Sequence, residues 1–200
     1  MRNSQFAIVT ATIALVLLTA CSKKEAANST TRGADIPTEF LNKAIAFGND
    51  AEQVVKGMER EGFKDAAGQP EMNFDSVPDN MGNNVAMKAF SPTDTTGFDY
   101  ESMKWDKVQV QLDQKGLFSV IFFSKPIDKQ QLDQRLHTLL KELQRQNYPL
   151  AATKIGQSML NGDATDIMGY RYEQNGRLMQ LHSNDIDGQK SIIVLIFNKL

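Results

Sequence analysis

Few residues in this chain have types and spacings that could do chemistry. Its 200 residues include one cysteine, Cys21, and two histidines, His137 and His182. A zinc site needs three or four converging nitrogen, sulfur or carboxylate ligands. Neither histidine has another His or Cys at ligand spacing and no HExxH is present, so both read as exposed surface histidines. An activated serine is often announced by GxSxG, and the nearest run, Ile155-Gly156-Gln157-Ser158-Met159, lacks the second glycine. The phosphate-cradling patterns GxxxxGK(S/T) and GxGxxG are missing too. Ser183-Asn184-Asp185-Ile186-Asp187-Gly188 has the opening of a calcium loop, with oxygens at alternate positions and then a glycine. Its closing position falls on Val194, where a bidentate glutamate belongs, and a strand follows instead of a helix. A polar hairpin turn fits better. The run at 161–166 reads the same way. Carboxylate acid–base catalysis needs two carboxyl groups at a set separation in space and leaves no local motif. Asp163, Asp166, Asp185 and Asp187 are its candidates. No metal and no cofactor is expected.

The most specific signal stands near the start of the chain. Residues 6–20 are apolar apart from Thr10, Thr12 and Thr19, and Arg2 precedes them. Such a run is short for a membrane-spanning helix, which needs about 20 residues, and suits a secretory segment. It ends in Leu18-Thr19-Ala20-Cys21, which resembles the lipobox of bacterial lipoproteins. The resemblance covers residues 1–21 only. It implies that residues 1–20 are removed and that the Cys21 thiol is diacylglycerylated, so that the lipid bilayer becomes a partner through acylated Cys21. Each buried methylene contributes about 0.8 kcal/mol, and two chains anchor stably where one does not. Ser22 follows the cysteine, which resembles the pattern sent to the outer membrane, facing the periplasm, in double-membraned hosts.

The charge balance of the chain is −2. Removing residues 1–20 takes away Arg2 alone and leaves about −3, which is no nucleic-acid footprint. Residues 22–35 contain no large apolar side chain, cannot bury themselves and read as a flexible tether of roughly 20 Å reach. Residues 36–200 are then expected to form one globular domain, since that length suffices for a single core. With the lone cysteine committed to lipid, no disulfide is expected.

The elements of that domain follow from periodicity. Phe40, Leu41, Ala44, Ile45 and Phe47 recur at helical spacing up to Gly48. Asn49 and Glu52 look like a capping pair opening a second helix, with Val54, Val55 and Met58 on its apolar face. A helical hairpin is predicted. Residues 64–97 read as loop-rich with one or two edge strands, one of them carrying Val85, Met87 and Ala89. Val108, Val110 and Leu112 alternate with polar residues as a half-buried strand, and 117–123 is apolar on both faces apart from Ser119. Leu132, Leu136, Leu139, Leu140 and Leu143 mark one long amphipathic helix over 128–147. Asn175-Gly176 between Tyr172 and Arg177 is a hairpin signal, and 191–197 reads as a buried strand. The fold expected is α+β: a largely antiparallel sheet of about five to seven strands, the long helix packed on it and the N-terminal helical hairpin beside it.

Phe98, Tyr100 and Trp105 lie close together before a strand and are candidates for a partner-binding patch, since Trp and Tyr carry binding energy well. The reading that they close one end of the core is favoured over it, because large aromatics are more often buried than recruited. The function expected is a membrane-anchored, non-catalytic binding module of the bacterial cell envelope, with an envelope protein or wall polymer as partner. A hydrolase using the carboxylates above, or a small-ligand carrier with an apolar cavity, are the alternatives.

Overall fold

A computed structural model describes residues 32–66, 75–78, 84–160, 163–186 and 190–200. The anchor motif, residues 18–21, lies outside them. The described chain opens with β1 (Glu39–Phe40) and β2 (Ile45–Ala46), then α1 (Ala51–Arg60) and β3 (Phe63–Asp65). Next come β4 (Asp75–Pro78), β5 (Asn84–Pro92), β6 (Phe98–Tyr100), β7 (Met103–Trp105), β8 (Lys107–Asp113) and β9 (Gly116–Phe123). The second half holds β10 (Ile127–Asp128), α2 (Lys129–Arg145), β11 (Ala151–Leu160), β12 (Asp163–Gln174), β13 (Arg177–Ile186) and β14 (Lys190–Lys199).

The α+β class and the antiparallel sheet are as expected. The sheet is larger: ten strands in the order β11-β12-β13-β14-β9-β8-β5-β3, with β10 beside β14 and β4 beside β5. The additional strands escaped periodicity for a physical reason. β11 and the first half of β12 are built largely of Ala, Gly, Ser, Thr and Asp, which carry no apolar alternation. β9 and β14 sit at the centre, as their apolar sequences require, and Phe197 pairs with Val120 across them. Asn175 and Gly176 both take positive φ (51° and 71°), the conformation of a two-residue hairpin turn whose twist matches its strands.

The predicted helical hairpin is corrected. Its second helix exists as α1, but the first is replaced by the small β1–β2 hairpin, turned at Leu41, Asn42 and Lys43 with φ of 50°, 53° and 67°. Three consecutive left-handed residues cost energy, and packing outweighs it. Phe40 lies 4.9 Å from Phe197 and 5.3 Å from Phe47, ring centre to ring centre, and Phe40 and Ile45 are buried. A helix-like spacing of apolar residues is satisfied here by a tight turn. The cap of α1 also falls one residue on. Asp50 Oδ1 accepts from the Gln53 amide at 2.8 Å, and Gln53 Oε1 accepts from the Asp50 amide at 3.0 Å. Asn49 instead accepts from the Ala46 amide, 2.6 Å away.

Both helices pack on one face of the sheet. Leu139, Leu140 and Leu143 of α2, with Val54 and Met58 of α1, join Leu195, Phe197 and Phe122 in the main core. Leu132 and Leu136 of the leucine stripe are only half-buried. A separate cluster of Ile121, Val194 and Ile196, flanked by Phe123 and Ile192, occupies the other face. The two clusters share no residue, and no helix residue belongs to the second.

Candidate functional site

The face away from the helices is built by three rungs of paired residues, because partners across antiparallel strands share a face. The first runs Arg171, Gln180, Ile196, Ile121, Gln109 across β12, β13, β14, β9 and β8. The second runs Gly169, His182, Val194, Phe123, Lys107 across the same strands. The third runs Leu178, Asn198, Ser119, Gln111. An apolar strip along β9 and β14 therefore lies between amide and imidazole groups on β13 and β8, with Asn198 and Ser119 at one end.

Four side-chain atoms on this face are buried without a hydrogen-bond partner: Ser119 Oγ, Arg171 Nε, His182 Nδ1 and Asn198 Oδ1. Ser119, His182 and Asn198 are 1%, 4% and 4% exposed. Burial holds the His182 imidazole neutral, pushing its pKa from 6.5 down to about 4. The charged groups here are already engaged. Arg171 pairs with Glu173, and Lys107 Nζ stands over the Phe123 ring, 4.8 Å from its centre. Gln109 and Gln111 both converge on Met87 Sδ, at 3.6 and 3.3 Å.

Gly169 marks the point where the sheet divides. From His182 onward β13 continues with β14 alone, while β12 continues with β11 past a bulge at Ile155. The β11–β12 and β13–β14 hairpins thus run on as separate arms at the same end, with β10 beside the tip of β14. A β-carbon on Gly169 would come within 2.8 Å of the Leu181 carbonyl oxygen and 2.9 Å of Ile155 Cδ1, so the close approach requires glycine. At the opposite end the chain enters the fold. Asn147 Nδ2 donates to the Arg32 carbonyl (3.4 Å), Gln174 Nε2 to that of Gly33 (3.2 Å) and the Tyr172 hydroxyl to that of Ala34 (3.1 Å).

The residues singled out from sequence are scattered. Trp105 is fully buried, and its Nε1–H donates to the Tyr100 carbonyl oxygen at 2.8 Å. The Tyr100 ring stacks on Phe122 at 4.3 Å and 3°, and Phe98 meets Phe63 edge-on at 4.9 Å. Burial raises the Tyr100 phenol well above its ordinary range. Trp105 belongs to the helix-side core, and Phe98 and Tyr100 pack against it partly buried, the role favoured for the three from sequence. His182, read as an exposed histidine, is buried; His137 is exposed on α2. It lines a groove of about 460 Å³ with Asp133, Gln134, Leu136 and Tyr170.

The side chains of Asp163, Asp185 and Asp187 lie outside what the structure describes. Asp166 is exposed and ion-paired with Lys154 at 2.6 Å. Residues 183–186 of the calcium-like run belong to β13. Among the described residues no group of three His, Cys, Asp or Glu is placed to hold a metal ion, and no helix is long and apolar enough to cross a membrane. Sequence reasoning missed Arg171, Gln180 and Asn198, because polar residues alternating with apolar ones read as a solvated face.

No family model, no curated protein and no solved structure matches the chain.

Proposed function

We propose that the chain is a membrane-anchored envelope lipoprotein, acylated at Cys21 and acting as a non-catalytic binding module through the sheet face that carries Ser119, His182 and Asn198. The observation that carries this reading is that, among the described residues, the four buried polar atoms without a partner gather on one face, opposite both helices. A buried polar group left unpaired costs about 1–3 kcal/mol. Four such groups are a cost that packing alone does not explain, and the half-buried Lys107, Gln109 and Phe123 at their border leave that edge of the face open to another molecule.

The lipobox-like run at Leu18-Thr19-Ala20-Cys21 supports the anchor, and the contacts at Arg32, Gly33 and Ala34 give it a direction. The tether joins the fold beside the β12–β13 turn, so the two hairpin arms point away from the anchored end. Of the tether expected over residues 22–35, residues 32–34 are hydrogen-bonded to the fold and belong to it.

The test of the anchor is intact-mass spectrometry of the full chain extracted from membranes of a bacterium that processes lipoproteins, beside Cys21→Ala. The expected product begins at Cys21 and carries diacylglyceryl mass, and Cys21→Ala loses both features. A product with residues 1–20 intact, or with an unmodified Cys21, overturns the anchor.

A further inference from the structure

The large sheet ends in two unlike edges. One is closed by the three-residue β3, and the other is β11, ten residues long. We propose that β11 is the pairing edge for a second copy of this chain, the two β11 strands running antiparallel about a two-fold axis.

The first argument is what this edge lacks. Sheet edges are ordinarily kept from pairing by short length, proline or outward charge. β11 reads AATKIGQSML, with no proline and one charged residue, Lys154, which is ion-paired with Asp166 of the neighbouring β12. Ala151 and Ala152 are exposed. Beyond Gly169, β12 pairs with β11 alone among the described strands. A two-stranded ribbon is marginal in water, where three or more strands are needed. Joining two such arms through β11 gives a four-stranded sheet, β12-β11-β11-β12.

The second argument is register. Full overlap of two antiparallel β11 strands sets the axis between Ile155 and Gly156. Ala151 and Ala152 then stand opposite the partner's Leu160 and Met159, Thr153 opposite the partner's Ser158, and Lys154 opposite the partner's Gln157. Small residues meet large ones, hydroxyl meets hydroxyl and no like charges face each other, a combination that favours cross-strand pairing. The helix-side rung Phe122, Leu195, Leu181, Tyr170 ends on Ala152, and the partner's Met159 takes the next position along it.

The third argument is the bulge. A ten-residue strand of strict alternation carries its first and last residues on opposite faces, so full overlap with its own copy would bring unlike faces together. The extra residue at Ile155 removes that conflict. Ala152, Lys154, Gln157 and Met159 pair with Tyr170, Met168, Asp166 and Ala164, alternate positions on one face of β12, while Ala151, Thr153, Ser158 and Leu160 pair with Arg171, Gly169, Thr165 and Asp163 on the other. Both halves of β11 thereby match their counterparts face for face.

The test is oxidative crosslinking of the full chain in detergent, in a Cys21→Ala background that leaves introduced cysteines as its only thiols. Residues 153 and 158 of one copy are about 17 Å apart along the strand, too far for a bridge within the chain. Thr153→Cys combined with Ser158→Cys is expected to give a covalent dimer in high yield. Lys154→Cys combined with Ser158→Cys, on opposite faces, is expected to give little. Sedimentation of the Cys21→Ala chain, with micelles in excess, is expected to show a monomer–dimer equilibrium. Gln157→Lys sets like charges against the partner's Lys154 and should weaken it about tenfold. Gln157 pairs with Asp166 within the chain, so the thermal midpoint is expected to hold. If that variant fails to fold, the two cysteine pairs decide alone. A monomer at every concentration, equal crosslinking by the two pairs, or a dimer indifferent to Gln157→Lys overturns the proposal. A monomer in which a photoreactive side chain at Thr153 captures another protein also overturns it, and gives the edge to a strand of that protein.

Discussion

Asn198 and Ser119 stand directly opposite each other across β14 and β9, and each buries an oxygen that has no hydrogen-bond partner. In a sheet whose other face is a continuous apolar core, this pair is the clearest departure from what stability alone would select. Ser119→Ala removes one unpaired hydroxyl with little loss of packing. It is expected to raise stability by about 1 kcal/mol in urea denaturation. A loss of that size would mean that the hydroxyl is satisfied in the folded protein.

His182 gives the fold a pH dependence. Its folded pKa of about 4 lies below the ordinary 6.5, so between these values the unfolded chain binds the proton and the folded one does not. The stabilisation is therefore full above pH 6.5 and is lost as pH falls toward 4, by roughly 3 kcal/mol in all. Subtracting the stability curve of His182→Gln from that of the wild type, each measured by denaturant titration across this range, isolates the contribution. A flat difference would contradict the neutral, buried imidazole.

Trp105 is expected to act on stability and not on binding. Trp105→Ala opens the helix-side core and should cost about 3–5 kcal/mol, read as a fall in the denaturation midpoint. The single tryptophan should fluoresce at the short wavelengths of an apolar site in the wild type, since it is fully buried. A water-exposed spectrum would return it to the surface.

Gly57 reverses the usual helix rule. Alanine is favoured over glycine in a helix interior by about 1 kcal/mol. A β-carbon at Gly57, however, would run into the backbone carbonyl of Ala44 and touch Ile45, where α1 crosses the β1–β2 hairpin. Gly57→Ala is expected to destabilise by about 1–3 kcal/mol. Stabilisation would show that α1 and the hairpin are farther apart.

Much of the fold was legible in local pattern and little of the site was. The Asn175-Gly176 turn, the paired strands around Gly116 and the leucine stripe of α2 carry strong period signals, and all three stand where the sequence puts them. The residues from Phe40 to Phe47 mislead because apolar spacing records burial and not conformation, and a left-handed turn buries the same side chains. Ser119, Gln180 and Asn198 are hidden for the opposite reason. Each is a single polar residue in an apolar or alternating strand, and only the register across three strands brings them to one face. The type of Trp105 suits a core or a binding role alike, and its depth in the core depends on the β6–β7 ribbon folding back onto Phe122.

The most direct test of an anchored binding face is site-specific photo-crosslinking in the native envelope. A photoreactive side chain at Gln109, half-buried on the proposed face, is compared with one at Lys141, exposed on α2 on the other side of the sheet. Each is placed in the wild-type chain and in Cys21→Ala. The account predicts one dominant adduct from Gln109 that weakens when Cys21 is replaced, and none of that adduct from Lys141. The same adduct from both positions, no adduct from Gln109, or an adduct indifferent to Cys21 would contradict it.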